Sequence, residues 1–254
     1  MKPSDGDQPV LTPAELLAYR RARGVLPEFI PPLMVIFAPQ KYLADYVLRH
    51  HSTKRIRGFF GEFYLLKRTK GRIALSTGFG IGAPVTAGLA DEFSALGARQ
   101  FVLIGMAGGL QPGLNPGSLV ICTSAVRGEG VSHHYLPLAE TVESSDEMAR
   151  GVGKILEQRG QPYSAGLTWT TDAPFRERRK DVLEYQSRGV LAVEMEAAAL
   201  LSVASAHGLP ALAVFSMSDT LANGTWSMPD DPRPAQHGLS ILFDSVLSYM
   251  TELL

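Results

Sequence analysis

The chain has 254 residues, 45% hydrophobic and 19% charged, a globular composition with ample material for a core. Its formal net charge of −1 offers no electrostatic case for a nucleic acid or an anionic membrane as partner, since either favours a basic face. Cys122 is the one cysteine, so no intrachain disulfide forms and a reducing compartment is expected. The polar, acidic opening does not read as a signal peptide, and no apolar run approaches the ~18 residues that span a bilayer. A cytoplasmic protein is the expectation.

Residues 1–30 read as an N-terminal extension and 31–254 as a single domain. Thr12 followed by Pro13 is a helix start, with proline at the first helical position, and Pro27, Pro31 and Pro32 break that helix. Leu33 to Ala38 is a short apolar run of the kind that fills a two-sided buried strand, and Lys41 to His50 follows as a helix. Gly61 to Arg68 and Arg72 to Thr77 flank Lys70-Gly71 as a hairpin. Val85 to Leu96 is a helix closed by Gly97; Gln100 to Gly105 and Ser118 to Thr123 are strands. Asp146 to Arg159 is a helix, Tyr163 to Thr170 a strand, and Val193 to Gly208 an alanine-rich helix. Ala211 to Asp219 is a buried strand, and Gln236 to Leu254 a terminal helix. Strands separated by helices predict an α/β fold with a mixed, largely parallel sheet and helices on both faces. Sites on such sheets gather at the carboxyl ends of strands.

Four strand ends carry polar or glycine-rich segments. Thr77-Gly-Phe-Gly-Ile-Gly-Ala-Pro leaves backbone N–H groups unshielded ahead of a helix, which suits an anion; a tight strand-to-helix turn explains it equally well. It is neither a Rossmann fingerprint nor a P-loop, lacking the acidic residue of the one and the Gly-Lys-Ser/Thr of the other. Leu103-Ile-Gly-Met-Ala-Gly-Gly is a second glycine-rich end, for which a turn is the simpler explanation. In Val193-Glu-Met-Glu-Ala two carboxylates interrupt a run of buried-type residues. Carboxylates in a first helical turn are often dipole partners, but a buried one needs a polar ligand or a strong donor beside it, and sugar hydroxyls serve. Asp219, in Ser216-Met-Ser-Asp, is either a helix cap or a general acid in apolar surroundings. His133 and His134 lie in a polar loop that is placed to line a pocket. No spacing suggests a metal site, and neither a nucleophile elbow nor an exposed cysteine is present.

Together, Gly78-Phe-Gly-Ile-Gly-Ala-Pro, Gly105-Met-Ala-Gly-Gly-Leu, Gly117-Ser-Leu-Val-Ile, Thr171-Asp-Ala-Pro-Phe, Val193-Glu-Met-Glu-Ala and Ser218-Asp219 resemble the nucleoside phosphorylase superfamily. That group holds purine nucleoside and uridine phosphorylases and the methylthioadenosine nucleosidases. The resemblance runs from about Leu33 to the C-terminus. It implies a three-layer αβα sandwich and a homo-oligomer built on a dimer. It implies a nucleoside and phosphate as ligands, with no further cofactor and no metal. Met195 and Glu196 would hold the ribose, Glu196 accepting from its 2′- and 3′-hydroxyls, with Glu194 and His134 beside them. A carboxylate there also favours the oxocarbenium-like sugar. Phe175 would pack on the base with Thr171, and Asp219 would bond and protonate N7 of a purine. Uridine-specific relatives generally lack the Ser-Asp pair, which tilts the reading toward purines, while Arg176 and Arg178 would suit pyrimidine carbonyls, although charged surface residues are the commoner explanation for those two.

The nucleophile side departs from the pattern. Pro39 and Leu43 stand where the phosphorylases have a glycine and an arginine, and Leu103 and Met106 where an arginine and a Ser/Thr are expected. Gly80, Arg57 and Met106 are the remaining phosphate candidates, Arg57 matching an arginine that relatives donate across the dimer interface. Lys41, Arg57 and Arg127 are the available cations. The nucleosidases use a glutamate just after the first strand, where this chain has Gln40 and Lys41. Three readings follow: phosphorolysis, hydrolysis, or nucleoside binding with little catalysis.

Overall fold

Thr12 caps the first helix, α1 (Pro13–Ala22), in the computed structural model, which describes residues 9–254 apart from the Asn223 side chain. Its Oγ1 accepts the Glu15 N–H at 3.2 Å while the Glu15 carboxylate accepts the Thr12 N–H at 2.8 Å, a reciprocal capping box. Met1 to Gln8 of the expected extension lie outside the described residues. Leu17 and Leu26 are buried in the same cluster as Phe37, so residues 13–26 pack on the body of the fold.

The chain then runs β1 (Met34–Ala38), α2 (Lys41–His50), β2 (Thr53–Ile56), β3 (Glu62–Leu66), β4 (Ile73–Thr77) and α3 (Ala83–Leu96). After β5 (Gln100–Gly109), β6 (Leu119–Gly128) and β7 (Thr141–Glu143) come α4 (Asp146–Gln158), β8 (Tyr163–Thr171) and α5 (Arg179–Ser187). The last elements are β9 (Ala192–Glu194), α6 (Ala197–Ala206), β10 (Ala211–Thr220) and α7 (Arg233–Glu252). An ion pair from Arg20 to Glu92 at 2.5 Å ties α1 to α3. Val193 belongs to a strand, not to the alanine-rich helix expected from its neighbours: β9 pairs with β8 and β5 before the chain turns at Met195 into α6. Two sheet partners override the helical preference of the segment that follows.

Along the sheet the order is β10-β6-β8-β9-β5-β1-β4-β3-β2, and β10 also pairs with β5. Strands β5, β10, β6, β8 and β9 therefore close into a ring, from which β1, β4, β3 and β2 extend as an open wing. Parallel and antiparallel pairings are five each, so the sheet is mixed but less parallel than the alternation of elements suggests. The hairpin β2–β3–β4 and the short strands β7 and β9 supply most of the antiparallel pairs. Period-2 alternation sends Phe37, Phe101 and Phe215 to the face covered by α3 and α6, and Ile36, Val102 and Val214 to the face covered by α2, α4 and α7. The result is a three-layer αβα sandwich. No helix among the described residues is long and apolar enough to cross a membrane.

Gly108 and Gly109 close the ring, pairing with Val193 and Ala192 of β9. A Cβ on Gly109 would meet the Leu114 carbonyl at 2.6 Å, and one on Gly108 would meet Leu221 Cδ1 at 2.6 Å. Close approach of backbone requires glycine at 109, whereas at 108 a side chain would displace Leu221.

Candidate active site

Where the ring closes, the ends of β5, β9 and β10 open into a cavity of about 570 Å³, within the range of small-molecule sites. Met106, Ala107 and Gly108 of β5 line it together with Val193, Glu194, Met195 and Glu196, and with Ser218, Asp219 and Leu221. Gln40, Ile81, Pro174 and Phe175 line it as well, and Glu177 and Trp226 do so beside Asp219. Phe175 is 98% exposed, Trp226 66% and Ile81 64%, so the cavity has an apolar rim open to solvent.

The two carboxylates of Val193-Glu-Met-Glu-Ala do different work. Glu194 is buried and saturated: its Oε2 accepts the Glu196 and Ala197 N–H groups at 2.8 and 2.7 Å, and its Oε1 accepts the Thr170 hydroxyl at 2.5 Å. It satisfies the free N–H groups that begin α6, as a helix-terminal acid does. Glu196 faces the cavity, and its Oε1 accepts the Gly82 N–H at 2.5 Å. Burial, reinforced by the Glu194 charge, pushes Glu196 up to about 7. Burial also raises Glu194, against the pull of its donors.

Gly82 has φ 106°, in the region that favours glycine, and starts α3. The glycine-rich segment, read from the sequence equally as an anion site or a tight turn, presents its Gly82 N–H to the Glu196 carboxyl. Gly80 is not among the residues lining the cavity.

Asp219 sits beyond a β-bulge at Ser218, where the pairing with β5 shifts. Its Oδ1 accepts the Ser218 hydroxyl at 2.5 Å and its Oδ2 the Trp226 indole N–H at 3.0 Å. Glu177 shares this end of the cavity, and burial with the Asp219 charge pushes it up to about 7.

Of the residues singled out from the sequence, Glu194, Met195, Glu196, Phe175, Asp219 and Met106 meet in this cavity. Thr171, His134, Gly80 and Arg57 are not among its lining. Thr171 is buried at the end of β8, its Oγ1 accepting the Ala173 N–H at 3.2 Å. His134 is exposed on the turn Ser132–His134, and Arg57 is exposed after β2. The other cations are engaged elsewhere. Lys41 pairs with Asp45 at 2.5 Å, and Arg127 is buried against Ser132 Oγ and the Pro137 carbonyl, at 2.9 and 2.6 Å. Arg178 pairs with Asp181 at 2.6 Å. Four carboxylates and no Lys, Arg or His line the cavity among the described residues. No group of three or more His, Cys, Asp and Glu among those residues could hold a metal. Burial pushes the Cys122 thiol up to about 12, which leaves it inert as a nucleophile.

Glu177 and Trp226 escaped the sequence reading. Glu177 lies two residues past Phe175 in a charged run that looks like solvated surface, and Trp226 follows Asp219 by seven residues in a polar turn.

Residues 35–238 match the family model described as the Phosphorylase superfamily. The chain is 33% identical over 147 residues to a uridine phosphorylase of Haemophilus influenzae, a stretch covering 52% of this chain and 58% of that protein. It is 28% identical over 202 residues to a DeoD-type purine nucleoside phosphorylase of Exiguobacterium sibiricum, covering 76% and 80%. A guanosine phosphorylase of Halorubrum lacusprofundi is 31% identical over 146 residues, covering 57% and 60%. The chain thus spans little more than half the length of the uridine phosphorylases it matches.

Proposed function

The chain belongs to the phosphorylase superfamily, and from that premise we propose that it cleaves the N-glycosidic bond of a purine nucleoside, with phosphate as co-substrate. The reading rests on one observation: Glu196 and Asp219, from different strand ends, face one cavity of nucleoside size with an aromatic rim. Met195 and Glu196 hold the ribose, and Phe175 covers the base. In its protonated form Asp219 donates a hydrogen bond to the purine N7 and passes it that proton as the bond breaks, so the base leaves neutral and Asp219 is left ionised. Glu196 lies against the sugar as it gains positive charge. Phosphate attacks the anomeric carbon from the face opposite the base, giving ribose 1-phosphate.

The lining favours a second reading, hydrolysis. A phosphate charge about 6 Å from a carboxylate is repelled by roughly 3 kcal/mol at an effective dielectric of 20, whereas water carries no such penalty. Phosphorolysis therefore needs a cation from outside this lining. The exposed Arg57 of a second copy is the candidate, in keeping with a homo-oligomer.

Base release from adenosine, inosine, methylthioadenosine and uridine, measured with and without phosphate, separates the readings. Release that requires phosphate and yields ribose 1-phosphate supports phosphorolysis. Release indifferent to phosphate replaces it with hydrolysis. Nucleoside binding without turnover refutes both.

A further inference from the structure

We infer that Glu177 is a specificity-determining residue that accepts an N–H from an exocyclic amino group of the base, selecting aminopurine nucleosides. This rests on the reading of the cavity as a nucleoside site and does not depend on whether phosphate or water is the nucleophile.

The base end of the cavity is rich in acceptors. Both Asp219 oxygens already receive protein donors, from Ser218 and Trp226, which fixes the orientation of that carboxylate. Among the described residues Glu177 has no such partner: burial and the Asp219 charge are the influences on its carboxyl, with no hydrogen bond among them. A half-buried carboxylate beside another, with no cation in the lining, is open to a donor from a ligand that displaces its water.

Its position is built, not incidental. The Arg176 N–H bonds the Ala173 carbonyl at 2.8 Å, closing the turn Pro174–Arg176 just before it. The Asp172 carboxylate accepts the Gly130 N–H at 2.9 Å and anchors that turn to the end of β6. On its other side α5 packs against the turn Ala222–Gly224, which follows β10 and Asp219. Phe175 and Glu177 therefore reach the cavity from one braced segment, the ring as a stacking surface and the carboxylate at an edge.

Above about pH 7, where Glu177 is ionised, its carboxylate only accepts hydrogen bonds. A base edge bearing an amino group brings donors to Glu177, whereas a carbonyl on the same edge sets acceptor against acceptor. A site built to bond a substrate N–H discriminates strongly against an analogue lacking it, because the protein group is then left unpaired.

The test compares two pairs of nucleosides, each differing by one amino group: adenosine with purine riboside, and guanosine with inosine. The ratio of kcat/KM within each pair is measured for the wild type and for Glu177→Met, which removes the acceptor. Dividing wild-type ratio by variant ratio cancels the intrinsic lability of each glycosidic bond. The expected result is an amino preference at least about tenfold larger in the wild type for one pair, with Glu177→Gln intermediate. A purely structural role would lower both members of a pair equally and leave the ratios unchanged, which overturns the inference while cleavage itself upholds the nucleoside reading. Cleavage of none of the four by the wild type overturns that reading and the inference with it.

Discussion

Glu196→Gln should make the protein more stable and the enzyme far slower, and the two effects have one origin. The carboxyl is buried, and its removal from water, with Glu194 nearby, raises it from an ordinary 4.5 to about 7. A folded-state acid raised in this way binds its proton more tightly than the unfolded chain does. Stability from this group is therefore intact below about pH 4.5 and is lost as pH rises through about 7. A shift from 4.5 to about 7 corresponds to roughly 3 kcal/mol withheld above neutral pH. Glutamine keeps the shape and an oxygen for the Gly82 N–H but carries no charge, so the variant should recover up to that amount at pH 8 and little at pH 4.5. Turnover should fall about 10²–10³-fold, the usual effect of deleting one preorganised electrostatic group at a reacting centre. Denaturant midpoints at both pH values, with base release under saturating nucleoside, measure the two. Near-normal turnover would remove Glu196 from the sugar site, and an equal stability change at both pH values would show that its charge is not strained in the fold.

Asp219→Asn should slow cleavage of purine nucleosides by about 10²–10⁴, with far smaller losses for uridine, since only the purine needs a proton at N7; equal losses, measured as kcat/KM for inosine and uridine, would rule out that role. Glu194→Ala should cost roughly 2 kcal/mol, read from urea unfolding, because it orphans the Glu196 and Ala197 N–H groups that begin α6; an unchanged midpoint would show that the cap contributes nothing. Arg127→Met should lower stability by roughly 3 kcal/mol while leaving nucleoside binding intact, since the guanidinium secures Ser132 and the Leu136 and Pro137 carbonyls away from the cavity. Weakened nucleoside binding in a fully folded variant would instead place Arg127 in the site.

Local chemistry carried much of this molecule in legible form. Continuous apolar runs mark β1 and β10, and the Lys70-Gly71 turn marks the hairpin that ends in β4; Thr12-Pro13 and Gly97 mark helix ends; and two carboxylates inside an apolar run mark the segment at Glu194 and Glu196. These signals survive without a structure because burial and capping act within a few residues. The alternation of strands and helices likewise announces the αβα layers.

Tertiary structure decided which carboxylate does what. Glu194 and Glu196 are two residues apart and alike on paper, yet one is consumed by the start of α6 and Thr170, while the other bonds Gly82 across 114 positions and faces the cavity. Glycines 78–82 read equally as a tight turn or an anion site, and only folding brings Glu196 to the Gly82 N–H. Glu177 and Trp226 look like surface residues until α5 and the segment after β10 draw them to Asp219. The closing of β5 onto both β9 and β10 sets all of this, and no local pattern encodes a pairing between strands a hundred residues apart.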